Sequence, residues 1–313
     1  MRTAIIVAVF LLVFLNGATD ACTSISTAVA SGALSMKRAA ILCASCNGVG
    51  GILGTVLFGG IGDAVVSASD FGTAGEAGVL ATLIASALFA AAAWAIALPT
   101  SESHGILAAA AGASAALGGS DSMIKSLLPA FLWMSLCILA GALAGTVLPR
   151  LIPSSMHTAA IRRWQILSAA LSSFLHGVQD LSKFCALLSL MDKNIAGHPV
   201  TILAAAFLMG WGALCGGRRM TDAVGEDLAI LHPKAALGAD LACDSALLFL
   251  SLVGIPASTT HTKTAAVAAC AATDKTCHIR KKQFSRCVAA WILTFPACGW
   301  LGYFIARLIT AVM

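Results

Sequence analysis

The chain has 313 residues, 59% of them hydrophobic and only 11% charged, and a mean hydropathy of +0.91. Soluble domains carry roughly 25% charged residues, so the composition excludes an ordinary soluble fold and points to an integral membrane protein. The net charge of +5 (19 Lys and Arg against 14 Asp and Glu) sits in a few loops, and no basic face interleaved with aromatics marks a nucleic-acid partner.

Apolar segments lie near 3–32, 39–59, 77–98, 103–118, 126–148, 166–191, 199–216, 234–253, 258–273 and 286–312. Runs of about 20 apolar residues argue for membrane helices rather than a barrel. The start, Arg2 and then Ala4 to Leu15, resembles a signal peptide. However, Asp20 ahead of Ala21-Cys22 spoils a lipoprotein-like cleavage site, so a retained first helix is expected. Segments one and four are weak: the first is polar past Leu15, and the fourth is short and rich in Ala and Gly. Either can be a broken or re-entrant helix.

Lys37 and Arg38 follow the first segment, and Asp63, Asp70 and Glu76 the second. Arg150, Arg162 and Arg163 fall in the central loop, Arg218 and Arg219 after the seventh segment, and Lys275, Arg280, Lys281, Lys282 and Arg286 before the last. Placing the basic loops in the cytoplasm gives ten passes with both termini outside, against which only Arg2 stands. The eleven cysteines lie mostly in apolar runs, where Cys packs as a small hydrophobe; Cys43-Ala-Ser-Cys46 is a lone CxxC.

The stretch from Ser172 to Met191 is apolar enough to enter a bilayer, yet carries His176, Gln179, Asp180 and Lys183. On a helix, Ser173, His176, Asp180 and Lys183 fall at i, i+3, i+7 and i+10, one polar stripe. A charge at mid-membrane costs roughly 2.5–3.5 kcal/mol on insertion scales. The stripe is either an ion pair that glues helices or part of a site.

The chain also repeats itself. Asn16-Gly-Ala-Thr-Asp20 aligns with His176-Gly-Val-Gln-Asp180, and Leu98-Pro-Thr-Ser-Glu-Ser-His104 with Ile255-Pro-Ala-Ser-Thr-Thr-His261. Both halves hold the two motifs at nearly the same spacing. Five passes per half, an odd number, turn the second half upside down relative to the first. The expected organisation is therefore a first inverted repeat over 1–148, a short cytoplasmic linker over 149–165 without a soluble regulatory domain, and a second repeat over 166–313. Inverted repeats with interrupted helices are how secondary transporters build a midplane site.

The motif chemistry suggests the cargo. Pro-x-Ser-x-Ser/Thr-His can end one helix and start another. Ser and Thr cap helix starts, whose free N–H groups favour anions. Two such starts facing each other make an oxyanion cradle; for a single copy, helix glue and a kink would explain the pattern as well. Asp20 and Asp180 would repel an anion unless a cation sits between, or unless the anion brings a proton, as phosphate does at neutral pH and sulfate does not. Asp20, Thr23, Ser24 and Thr27 form an oxygen-rich stripe at i, i+3, i+4 and i+7, either ligands for a hard cation such as Na⁺ or helix packing.

These residues resemble those of the inorganic phosphate transporter (PiT) family. Asn16 to Asp20 with Thr27 to Ser35 resembles its first signature, and His176 to Lys183 its second. Gly254 to Lys263 is similar to its Pro-x-Ser-Thr-Thr-His segment, Leu98 to His104 to the matching segment of the first half, and Gly216 to Gly225 to a further loop. The resemblance covers essentially the whole chain. It implies a secondary transporter of inorganic phosphate driven by Na⁺ or H⁺, in the cytoplasmic membrane, working by alternating access and often as a homodimer, with no cofactor. Carried over by position, it implies Asp20, Ser101, Ser103, Asp180, Lys183, Ser258, Thr259 and Thr260 for the substrate, and Asn16, Thr19, Asp20, Thr23, Gln179 and Asp180 for the ion.

The chain departs from the pattern. Thr19 and Gln179 stand where the family has Asn, Thr23 where it has another Asn, Ala186 where it has Gly, and Glu102 where it has Ser or Thr. Glu102 is either a proton carrier or an inert rim residue; His104, His176 and His261 either brace the breaks or touch the substrate. A sulfate or other oxyanion permease is the alternative within the family. An intramembrane hydrolase is disfavoured, since the chain has no Gly-x-Ser-x-Gly elbow or HExxH helix. A passive anion channel is disfavoured by the paired carboxylates.

Overall fold

The computed structural model describes residues 1–57, 61–62 and 75–312. Asp63 and Asp70, expected after the second segment, lie outside the described residues. The described elements are α1 (Arg2–Thr19), a 3₁₀ turn (Ala21–Ile25), α2 (Ser26–Ala30), α3 (Met36–Leu57), α4 (Gly75–Ala95), α5 (Glu102–Ala116), α6 (Ser120–Leu151), α7 (Thr158–Ser189), α8 (Lys193–Ala196), α9 (Pro199–Gly216), α10 (Arg218–Gly225), β1 (Ala229–Ile230), α11 (Pro233–Leu252), α12 (Thr259–Thr273), β2 (His278–Ile279) and α13 (Lys281–Val312). The two strands form a small antiparallel ladder, Ala229 opposite Ile279.

The fold is all-helical and multi-pass. Seven stretches among the described residues are long and apolar enough to cross a membrane, against the ten passes expected. The shortfall has two physical causes. At 15 residues each, α5 and α12 reach only about 22 Å, short of a hydrocarbon core of about 30 Å. Helix α7 is long enough, but its polar stripe lowers its hydropathy. The first segment breaks after Asp20, as its polar composition suggested: α1 ends, a 3₁₀ turn follows and α2 resumes. Arg150, Arg162 and Arg163, expected in the central loop, lie on the ends of α6 and α7, which run past the apolar core.

The packing has an internal symmetry. Helix α3 lies on α7 as α9 lies on α1. Likewise α13 lies on α5 as α6 does on α12, and α1 on α4 as α7 does on α11. Exchanging the two halves maps each of these pairings onto another of them. Short α5 and α12 are enclosed, and α5 buries twelve of its residues, from Glu102 to Ser114. Exposed Leu, Phe and Trp side chains such as Phe207, Trp211, Trp300 and Phe304 cover the outside, as expected for a surface that meets lipid.

The α3–α7 crossing depends on Gly177. A Cβ there would collide with the Asn47 carbonyl and the Gly51 nitrogen, both backbone atoms. Gly17, its counterpart in the first motif, meets the backbone of Met209 on α9 in the same way. Gly177→Ala is therefore expected to cost about 1–3 kcal/mol of overpacking strain, read as a lower thermal-unfolding midpoint of the detergent-purified protein. An unchanged midpoint would show that the two helices have room to separate.

Candidate functional site

The site forms where two helix breaks meet two helix starts. Chain breaks inside a membrane leave backbone groups that must find partners. Here the preceding helices end at Ala95 and Leu252, Pro99 and Pro256 follow in the break, and Ser101 and Ser258 restart the chain as N-caps of α5 and α12. Ser101 Oγ accepts from His104 N at 3.4 Å, and Ser258 Oγ accepts from His261 N at 3.2 Å. The two capping arrangements match, as the repeated motif predicts. Glu102, the first residue of α5, turns its backbone N–H toward the Asp20 carboxylate, donating to Oδ2 at 3.4 Å.

Asp180 is the hub. It is buried, and its Oδ2 accepts from Asn16 Nδ2 at 2.8 Å, a bond from the first motif to the second. Its Oδ1 accepts from Lys183 Nζ at 2.9 Å, and His176 Nε2 sits 3.2 Å from Oδ2. Lys183 also donates to Ser103 Oγ at 2.8 Å and to the Ala257 carbonyl at 2.6 Å. Its three N–H bonds are thus shared among α7, the start of α5 and the approach to α12. Gln179 completes the tie: its Oε1 accepts from Ala257 N at 2.8 Å and its Nε2 donates to Ser251 Oγ at 2.9 Å.

Asn16, Thr19, Asp20, Ser101, Glu102, His104, His176, Gln179, Asp180, Lys183, Ser258, Thr259, Thr260 and His261 are all buried around these breaks. Thr19 Oγ1 lies 2.6 Å from Glu102 Oε1, so Glu102 is an inward residue and not a rim one. Thr260 neighbours the Asp20 carboxylate. Among the described residues the Thr259 hydroxyl has no hydrogen-bond partner, and Asn16 approaches the Glu102 carboxyl. Thr23 is buried but spends its hydroxyl on the Asp20 backbone carbonyl, 2.8 Å away. The histidines differ. His104 Nδ1 is 2.7 Å from Ser101 Oγ, which ties the ring to the cap. The His261 ring stands 5.1 Å from that of His104 and edge-on to Trp291 at 4.6 Å, packed as a brace.

Two features were missed by sequence reasoning. Asn47 on α3 is fully buried and pairs with His176, Nδ1 to Oδ1 at 2.9 Å; the signal was a lone amide in an apolar run. Asp240 and Asp244 on α11 and Lys263 on α12 form a second buried charged cluster. Its signal was two Asp at i and i+4 in an otherwise apolar segment. Near the α11 start, His232, Asp274 and Cys277 lie together. Both His232 nitrogens are engaged, Nε2 with Asp274 Oδ2 at 2.9 Å and Nδ1 with Ala235 N. Hydrogen bonds from Thr276 and His232 hold the Asp274 carboxyl well below the usual carboxylate range, so this trio serves as a loop clamp.

A family model described as "Phosphate transporter family" matches residues 16–160 and again 153–302, so the duplication seen in the packing recurs in the match. A probable low-affinity inorganic phosphate transporter of Mycobacterium leprae (strain TN) is 29% identical over 95% of this chain and 76% of its own. One of the same description from Bacillus subtilis (strain 168) is 27% identical over 95% of this chain and 94% of its own. A solved structure titled "The sodium-dependent phosphate transporter" shares the fold, with a TM-score of 0.83 at 16% identity over 100% of this chain and 99% of that one. With the family model covering both halves and the two motif pairs meeting at one buried centre, the chain belongs to the phosphate transporter family, a family of transporters and not of enzymes.

Proposed function

We propose that this chain carries inorganic phosphate across the cytoplasmic membrane by alternating access, driven by a Na⁺ or H⁺ gradient. The bond from Asn16 to Asp180 carries the reading, because it joins the two motifs across the halves at the point where α5 and α12 begin. Helix starts favour anions through their free N–H groups and partial positive charge. An odd number of passes in each half would make the repeats inverted. A pair of copies, as the resemblance implies, completes the reading.

The partners of each residue refine the roles. Asp180 is already bonded to Asn16 and Lys183, so it holds the site together. Lys183 contributes charge, since its N–H bonds are in use. Asp20 keeps more acceptor capacity than Asp180: its carboxylate takes the Glu102 N–H and neighbours the Thr260 hydroxyl, with no lysine on it among the described residues. In this reading Asp20 accepts the proton of a hydrogen phosphate or binds the coupling cation beside it. Ser101, Ser103, Ser258, Thr259 and Thr260 supply the hydroxyls of the cradle. Thr19, Thr23 and Gln179 give the backbone or the neighbouring carboxylate their hydrogen bonds, and their remaining lone pairs are what they offer a cation. Glu102 adds a third buried carboxylate, for which a bound proton or cation is the natural counterpart.

Radiolabelled phosphate uptake into proteoliposomes under an imposed Na⁺ gradient or an imposed proton gradient tests the proposal. Uptake driven by one of them and insensitive to excess sulfate is the expected result. Uptake abolished by sulfate would favour a broader oxyanion permease, because sulfate has no proton for Asp20 to accept.

The hub makes a second expectation. Lys183→Ala leaves Asp180 buried without its cation, at a cost of about 3–5 kcal/mol, and should lower folded yield and the unfolding midpoint. Asp180→Asn/Lys183→Met removes both charges and should recover the midpoint while leaving gradient-driven uptake down by about tenfold or more. Full uptake in the double variant would remove Asp180 from the mechanism. Enhanced ungated anion conductance in Asp180→Asn would replace the transporter reading with a channel.

A further inference from the structure

The end of α4 is held by two arginines from distant parts of the chain. The helix closes with a left-handed residue, Ala97, at φ 52°, where Gly is the usual choice. The Ala97 N–H donates to the Trp94 carbonyl at 3.1 Å, and the Leu98 N–H to the Ala93 carbonyl at 2.9 Å. This closure satisfies two of the orphan carbonyls of the helix end and leaves those of Ala95 and Ile96. Arg219 of α10 donates from Nη1 to the Ala95 carbonyl at 2.8 Å, and Arg286 of α13 donates from Nη2 to the Ile96 carbonyl at 3.3 Å. The Trp94 ring centre lies 5.8 Å from the Arg219 guanidinium, and its Nε1 donates to the Gly216 carbonyl at 3.1 Å.

The closure itself does not need the arginines. Matching Ser258 to Ser101 sets Gly254 on Ala97. Gly254, at φ 75°, closes α11 in the same way, with Gly254 N on the Ser251 carbonyl and Ile255 N on the Leu250 carbonyl. There no side chain among the described residues bonds to the Leu252 or Val253 carbonyl.

The pair also carries charge that its surroundings do not balance. Their sequence neighbours Arg218 and Arg280 face carboxylates, Asp222 at 3.7 Å and Asp227 at 3.9 Å. Among the described residues no carboxylate pairs with Arg219 or Arg286. A helix C-terminus offers only about half a negative charge, against two guanidiniums. Both arginines are exposed. Arg219 commits one N–H to a carbonyl, and Arg286 commits one there and one to Gln283 Oε1 at 3.1 Å. Each guanidinium therefore keeps donors to spare.

The neighbouring surface is apolar. Helix α4 packs on α13. Leu88 and Ile96 are exposed about two turns apart on α4, and Leu293 is exposed about two turns into α13 from Arg286. An unbalanced cationic pair thus stands at the edge of a surface that meets hydrocarbon.

We propose that Arg219, Arg286 and Trp94 bind the headgroup of an anionic phospholipid, whose acyl chains lie over Leu88, Ile96 and Leu293. The site uses none of the cradle residues and does not rest on the transport reading. Guanidiniums suit the oxygens of a phosphodiester, and basic residues at a membrane boundary gain from an anionic leaflet. The acyl chains supply the apolar contact that free phosphate lacks. By bridging α10 and α13 at the end of α4, the headgroup holds the segment that leads through Pro99 to the Ser101 cap.

The test is the lipid that the full-length protein retains after detergent extraction from vesicles with equal phosphatidylglycerol and phosphatidylcholine. It is counted by native mass spectrometry in phosphate-free buffer. The native chain is expected to retain phosphatidylglycerol over phosphatidylcholine by about tenfold. Arg219→Gln/Arg286→Gln brings the two lipids to parity. Arg218→Gln/Arg280→Gln, which removes equal charge beside the site, keeps the preference. Each single variant, Arg219→Gln or Arg286→Gln, leaves one guanidinium on α4 and falls between, so the result does not depend on the double variant accumulating. No preference in the native chain, or an equal fall in the two double variants, overturns the proposal, because net charge alone would then account for any attraction. Release of phosphatidylglycerol by excess inorganic phosphate overturns it as well, since the pair would then be a free-anion site.

Discussion

A carboxylate held out of water inside a membrane protein is the constraint on which the rest of this structure depends. Asp180 is buried on α7, which packs chiefly against α3 and α11, and removing such a charge from water costs several kcal/mol unless it is paired and hydrogen-bonded. Asn16 and Lys183 supply the bonds. Each is in turn fixed by where the chain breaks: Asn16 precedes the end of α1, and Lys183 reaches both Ser103 and Ala257. A lysine that serves three acceptors on three segments specifies their relative positions. The hub therefore acts less as a source of stability than as a rule of assembly, since an arrangement that leaves any one of these groups unpaired is penalised.

The breaks follow from the same constraint. A half-helix that starts inside the protein exposes N–H groups which no lipid can satisfy. Ser101 and Ser258 satisfy one each, and Asp20 takes another. What remains is a region of oriented N–H groups and hydroxyls enclosed by α1, α5, α7 and α12. In the function proposed above, an anion of the right shape would complete it, and the demand for backbone satisfaction and the affinity for an oxyanion would coincide.

Much of this was legible in the sequence. The duplicated motifs located both helix starts to within a residue, because Pro followed by Ser is a strong local signal. Polarity past Leu15 foretold the break after Asp20. Other features were not legible, for identifiable reasons. A hydroxyl in a helix can ligate an ion or bond back to its own turn, and Thr23 does the latter. The mate of Lys263 is 23 positions away on another helix, a pairing that no helical period predicts. Asn47 is an amide in an apolar run, and only the α3–α7 crossing reveals His176 as its partner. Ten passes were expected and seven described stretches have the length and composition of a span; α5 and α12 are apolar and enclosed but shorter than a full span.

The two halves share a skeleton but not a chemistry, and this difference bears on how such a protein can cycle. If exchange of the halves converts an outward-open arrangement into an inward-open one, a perfectly symmetric chain would hold the two at equal energy. Leu83, Ala87 and Ile106 against Asp240, Asp244 and Lys263 break that degeneracy. A hydrocarbon layer tolerates small shifts of packing, whereas a hydrogen-bonded ion pair tolerates few. The second half is thereby the stiffer of the two around its helix start. Movement that leaves α7, α11 and α12 together and shifts the apolar layer of α1, α4 and α5 is the less costly mode, since it breaks no buried ionic bond within the cluster. The same divergence sets a polar opening, lined by Thr27, beside the charged layer of the second half.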